Sequence, residues 1–173
     1  MKNALLATAI LTLTAGTAFA HDYKIGDLVI DHPVARATPA NAPVSAGYMT
    51  ITNNGSEADT LVAAKAPFSG RVELHEMTMQ DDVMKMRELE GGIVIPAGET
   101  VILMPGGLHV MFMDMQQQLS EGETFSGTLT FANAGTVEVT LNIESLATIR
   151  KNMGADAKMD HSSHDHSGHN HSN

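Results

Sequence analysis

Segment 75–86, HEMTMQDDVMKM, sets Met77, Met79, Met84 and Met86 beside His75, in a chain that holds 12 Met and no Cys. A second group follows in LHVMFMDM, where His109 and Met111 stand two apart. Thioether sulfur is a soft ligand that holds Cu(I), imidazole accepts copper in either oxidation state, and neither suits Mg2+ or Ca2+. In an oxidising compartment cysteines tend to pair, whereas methionine offers a soft sulfur that forms no disulfide, although it can become a sulfoxide. A pocket of two imidazoles and two thioethers, built from His75, Met86, His109 and Met111, would therefore favour Cu(I). The competing explanation is packing, because methionine is a common gap filler. A strand histidine, too, is more often a satisfied polar residue than a ligand. Spacing alone leaves both readings open for these four residues. Met49, Met104, Met113, Met115 and Met153 are read as packing residues, and His32 as an ordinary polar one.

Short strands must position these groups. From about Tyr23 to Leu146 the chain runs in short alternating or apolar stretches: 28–30, 45–53, 59–66, 71–79, 83–89, 100–104, 108–113, 124–131 and 136–143. Between them lie NNGS, PAGE, PGG, SEGE and NAG, which are turn compositions. Many short strands at this spacing predict an all-β antiparallel sandwich or barrel. A hairpin of 71–79 and 83–89 that turns at Gln80 and Asp81 would set His75 opposite Met86 and Met77 opposite Met84. Opposed side chains in such a ladder sit about 4.5–5.5 Å apart at Cβ. Gln-Asp is not a favoured hairpin turn, and a one-residue slip would send Met86 to the other face. His109 and Met111, at i and i+2, share a face in any register.

The rest of the sequence sets the compartment and the size. Lys2 and an uncharged run ending in Ala18, Phe19 and Ala20 fit a secretory signal over 1–20. The run is short for a bilayer span and no second one follows, so the product is expected to be exported without membrane insertion. The absence of Cys removes the usual site of a lipid anchor and every thiolate site. The 153 residues that remain after 1–20 are enough for a single domain, placed over 21–148, at a size that buries roughly 68–70% of the unfolded surface and so needs no disulfides. The formal net charge is −10 and becomes −11 once Lys2 is removed. That sign opposes nucleic acid and anionic lipid and favours cations.

After Leu146 the chain changes character: beyond the first few positions it lacks aromatic and β-branched residues, and residues 149–173 end in HSSHDHSGHNHSN. They are expected to form a disordered His-rich tail. His161, His164, His166, His169 and His171 make it a candidate Cu(II) binder, with Ni(II) and Zn(II) as competitors. A flexible segment of that length spans about 25–30 Å. It could reach the folded site at an effective concentration of roughly millimolar order. Cleavage after Ala20 would also expose His21, whose amine and imidazole together could chelate one ion.

The joint pattern resembles the periplasmic copper chaperones of the PCu(A)C family. The resemblance rests on VELHEM (72–77), Met86 with ten residues between it and His75, IPAGETVILMPGGLHVMFM (95–113) and AGYMTITNNG (46–55). It spans about 28–143. The twenty-two residues between Met86 and His109 are one more than the family's usual spacing. The resemblance implies Cu(I) ligation by His75, Met86, His109 and Met111, and a cupredoxin-like Greek-key sandwich or barrel. It also implies a periplasmic location and delivery of copper to the dinuclear centre of cytochrome c oxidase or to another copper chaperone. Met77 is read as a wall of the pocket.

Other classes fit less well. A blue-copper carrier needs a cysteine thiolate, and there is no HExxH segment for a zinc hydrolase and no nucleophile motif for Ser/His/Asp catalysis. The chain is thus expected not to be an enzyme. A periplasmic copper buffer or resistance protein is the alternative, since it would use the same ligands without a dedicated acceptor.

Overall fold

The computed structural model describes residues 22–154. The signal segment, His21 and the five tail histidines lie outside the described residues. Eleven strands run in chain order: β1 Tyr23–Ile25, β2 Leu28–Arg36, β3 Val44–Asn53, β4 Asp59–Lys65, β5 Ser69–Gln80, β6 Val83–Glu88, β7 Ile93–Ile95, β8 Thr100–Leu103, β9 Leu108–Met115, β10 Thr124–Phe131 and β11 Gly135–Glu144. The nine expected runs all appear. β1 and β7 do not stand out in the sequence, because three residues are too few for alternation to show.

The strands form one sheet in the order β6-β5-β9-β3-β2-β11-β10-β4-β7, with β1 on β2 and β8 on β3. β11 and β2 pair in parallel, and the remaining pairs are antiparallel. β3 divides one of its edges: 44–47 pair with β9 and 49–52 with β8. The sheet curls over on itself, since one core cluster takes Leu74 of β5 and Val110 and Phe112 of β9 together with Leu61, Phe131, Ile93 and Ile95 from the far end of the order. Phe68, between β4 and β5, pins the two halves edge-on: its ring centroid lies 4.9 Å from that of Phe112 and 5.2 Å from that of Phe125.

One correction concerns the carboxyl-terminal end. Residues 149–152, expected as the start of the tail, complete a short helix, α1 Leu146–Asn152. The Ser145 hydroxyl accepts from the Thr148 amide as its N-cap, and Ile149 is buried against Val34 and Tyr48. A two-turn helix with one buried residue leaves little periodicity to read.

Candidate metal centre

β5 and β9 pair so that His75 faces His109, Leu74 faces Val110 and Glu73 faces Met111. Leu74, Val110 and Phe112 enter the core. By strand alternation Glu73, His75, Met77, His109 and Met111 all occupy the opposite, outer face. Both imidazoles are nevertheless buried there, at 7% exposure for His75 and 5% for His109. Their ring centroids are 5.6 Å apart, edge to face. Tyr48 of β3 flanks them, 6.5 Å from the His109 ring.

This close pairing depends on Gly47. A Cβ at that position would stand 2.8 Å from Cε2 of Phe112 and 3.3 Å from Cβ of Val110, so only glycine lets β3 seat against β9 at this depth.

Hydrogen bonds fix each ring. Nδ1–H of His109 donates to the Gly107 carbonyl at 3.0 Å, which leaves the Nε2 lone pair free. Nε2 of His75 pairs with Glu73 Oε2 at 2.8 Å, and its buried Nδ1 has no hydrogen-bond partner. A buried nitrogen without a partner is costly in an apo protein and is what a metal ligand requires. Arg71 in turn binds the other Glu73 oxygen. A carboxylate that orients a ligand imidazole raises its basicity and holds its tautomer. An acidic residue on an outer strand face ordinarily meets water, yet the Glu73 side chain is only 14% exposed. Its i, i+2 spacing from His75 was the available signal.

Burial holds the His109 pKa below the ordinary value; the Gly107 carbonyl opposes the shift and the neighbouring His75 adds to it. A neutral imidazole at physiological pH keeps its lone pair for a metal without first shedding a proton.

The hairpin register differs from expectation. β5 and β6 pair His75 with Glu88, Met77 with Met86, Met79 with Met84 and Gln80 with Val83. The turn is Asp81-Asp82, with φ of 51° and 59°. Two left-handed residues in a two-residue loop match the twist of the hairpin strands, and aspartate tolerates that conformation. The turn therefore forms one residue later than Gln80-Asp81, and Met86 moves from opposite His75 to opposite Met77. A partner shift of two preserves the face, so Met86 remains on the side of His75, diagonal to it.

The structure thus brings His75 and His109 together directly, with Met111 beside the pair on the β9 side. Met86 stands on the β6 side, 49% exposed. It lies level with Met77 and Met111 lies level with Glu73, four residues apart along β5, or about 13 Å. Among the described residues no three His, Cys, Asp or Glu side chains cluster to hold a metal. That leaves the imidazole pair with thioethers as the available donor set. Of the residues read as packing, Met49 is fully buried, and Met153 packs against the Val34, Tyr48 and Ile149 cluster. His32 pairs with Glu144 at 3.0 Å.

Comparison with known proteins decides the family. Residues 28–143 match the family described as "Putative lipoprotein LpqE-like". The chain belongs to the LpqE-like family. It is 30% identical over 113 residues to "Putative lipoprotein Lxx21020" of Leifsonia xyli subsp. xyli, covering 65% of this chain and 68% of that protein. Among solved structures it resembles the copper-bound PCuAC domain from PmoF2, at 26% identity and TM-score 0.63, covering 72% of this chain and 98% of that one. It also resembles the Cu(I) form of DR1885 from Deinococcus radiodurans, at 29% identity and TM-score 0.55, covering 76% and 85% respectively. The fold is the cupredoxin-like fold of PCuAC domains, as the sequence resemblance implied. Both of these PCuAC relatives were solved with copper bound.

Proposed function

We propose that this chain is a periplasmic copper chaperone, not an enzyme, and that it binds one Cu(I) through His75, His109, Met111 and Met86. Copper here is cargo. The observation that carries the reading is the buried His75–His109 pair on a face shared with the thioethers: His75 Nδ1 has no hydrogen-bond partner, and His109 bonds Gly107 through Nδ1, which leaves its Nε2 lone pair for a metal. The ligands are neutral, so bound Cu(I) keeps its single charge. It can leave by stepwise exchange when an acceptor's ligands replace the sulfurs and then the nitrogens. Because Met86 and Met111 flank the imidazoles from opposite sides, a shared ion requires the β5–β6 hairpin to curl inward on loading.

Anaerobic Cu(I) titration of the mature chain tests the reading. One tight equivalent is expected, weakened by Met111→Ala and by Met86→Ala; unchanged binding in both variants would reject these ligands. Delivery to the copper centre of cytochrome c oxidase, or to another chaperone, is the proposed destination, and transfer to an isolated oxidase copper domain separates it from simple buffering.

The His-rich tail is proposed to gather Cu(II) through His161, His164, His166, His169 and His171. Support comes from its point of departure: Met153 packs on the cluster that contains Tyr48, and the Tyr48 ring adjoins His109. Deleting 155–173 should remove Cu(II) equivalents and leave the one Cu(I). An unchanged Cu(II) stoichiometry would contradict this role.

A further inference from the structure

Beyond His75 the β5–β6 hairpin projects past the start of β9 as a two-stranded arm, and its two faces differ. One face carries Glu76, Thr78, Gln80, Val83, Lys85 and Arg87, whose polar groups bond to one another: Arg87 donates to Glu76 at 2.7 Å and Lys85 to Gln80 at 2.6 Å. The other face carries two cross-strand rows of thioethers, Met77 with Met86 and Met79 with Met84. Met79, Met84 and Met86 are 61%, 43% and 49% exposed. Gap filling, the usual reason for a core methionine, cannot explain side chains that fill no gap. Nor is a general apolar surface the simplest explanation, since all four positions on this face between His75 and Glu88 are the one apolar residue that also donates to soft metals.

Geometry suits stepwise passage of an ion. Opposed Cβ atoms lie about 4.5–5.5 Å apart, within which two flexible thioethers can converge on one monovalent ion. Successive rows on one face are about 6.8 Å apart along the strands. The inner row, Met77 and Met86, is the next row out from His75.

We propose that Met79 and Met84 form a second, outer site for a soft monovalent ion, from which copper steps across the Met77–Met86 row to the histidine pair. No redox change or proton transfer is involved; the ion exchanges one thioether for the next. The proposal rests on the copper reading above but places the outer site on Met79 and Met84, which are not among its four ligands.

The test follows methionine methyl resonances in the full mature chain, 13C-labelled at the methyl groups, as Ag(I) is added as a redox-inert stand-in for Cu(I). Met111 and Met86 are expected to shift with the first equivalent, and Met79 and Met84 with further equivalents. Silence at Met79 and Met84 throughout would overturn the outer site. Silence at Met111 alone would instead contradict the inner ligands. In the variant Met79→Ile with Met84→Ile, which keeps apolar strand-forming residues, the first-equivalent shift of Met111 should persist and loading from a Cu(I) chelate should slow. An unaltered loading rate would overturn the relay.

Discussion

His75 and His109 are almost fully buried on the outer face of the sheet, whereas every residue of the adjacent strand β6 is exposed. The two regions share a face and are one strand apart, yet the donor groups they carry, imidazole and thioether, are held under different constraints. The imidazoles are held by a central pairing of β5 with β9, by Gly107 and by the Arg71–Glu73 pair. The thioethers of the arm are held by one hairpin ladder at the sheet edge. Rigid nitrogens make a site selective in geometry, and exposed sulfurs make it accessible to exchange. A carrier that must bind and then release needs both.

Variants can break this division in order of severity. His109→Ala, or His75→Ala, should abolish tight Cu(I) binding in an anaerobic competition assay, since either removes half of the buried pair; retention of tight binding would place the affinity in the arm. Gly47→Ala should destabilise the fold by about 1–3 kcal/mol in chemical denaturation, because the new methyl overpacks against Phe112. It should also weaken copper by shifting β9, and unchanged stability would show that β3 can retreat freely. Glu73→Gln should lower Cu(I) affinity about 10–100-fold while leaving thermal stability nearly unaltered. An equal loss of stability and affinity would mean that Glu73 holds the strand and not the ring.

Acid supplies a control at the other end of the strand order. Burial favours the protonated form of Asp59, but amide donors from Asn133, Thr60, Ala134 and Ala132 together outweigh it and hold the carboxyl below its ordinary pKa. A depressed folded value means that the ionised group stabilises the fold fully above about pH 4 and loses that effect as pH falls through the folded value. Asp59→Asn should therefore reduce stability at neutral pH and flatten its fall below about pH 4, with Cu(I) affinity at neutral pH unaffected. A steep acid fall that survives the substitution would assign the effect elsewhere. The smallest effect belongs to the arm: Met79→Ile with Met84→Ile should leave stability within about 0.5 kcal/mol, as expected for exposed positions.

Much of this was legible in the sequence because strand periodicity fixes faces before partners are known. The i, i+2 spacing of His109 and Met111 put them on one face, and alternation put Met77 with His75. The side shared by Met86 was recovered even though its partner was not, because the true turn at Asp81-Asp82 shifts the pairing by two. What alternation cannot supply is long-range register. That His75 meets His109 directly depends on β5 pairing with a strand some thirty residues away, and on Gly47 yielding space to Phe112. The role of Glu73 is not legible in the sequence because an acidic residue on an outer face ordinarily faces water; here its side chain is only 14% exposed. α1 was missed because its stability comes from docking Ile149 on Val34 and Tyr48, and not from its own periodicity.

The most direct test of the central claim is X-ray absorption at the copper edge on the mature chain carrying one equivalent of Cu(I). Two imidazole nitrogens and two sulfurs are expected around the ion, with sulfur scattering halved in Met111→Ala. A spectrum with imidazole alone, or one that Met111→Ala leaves unaltered, would contradict the claim.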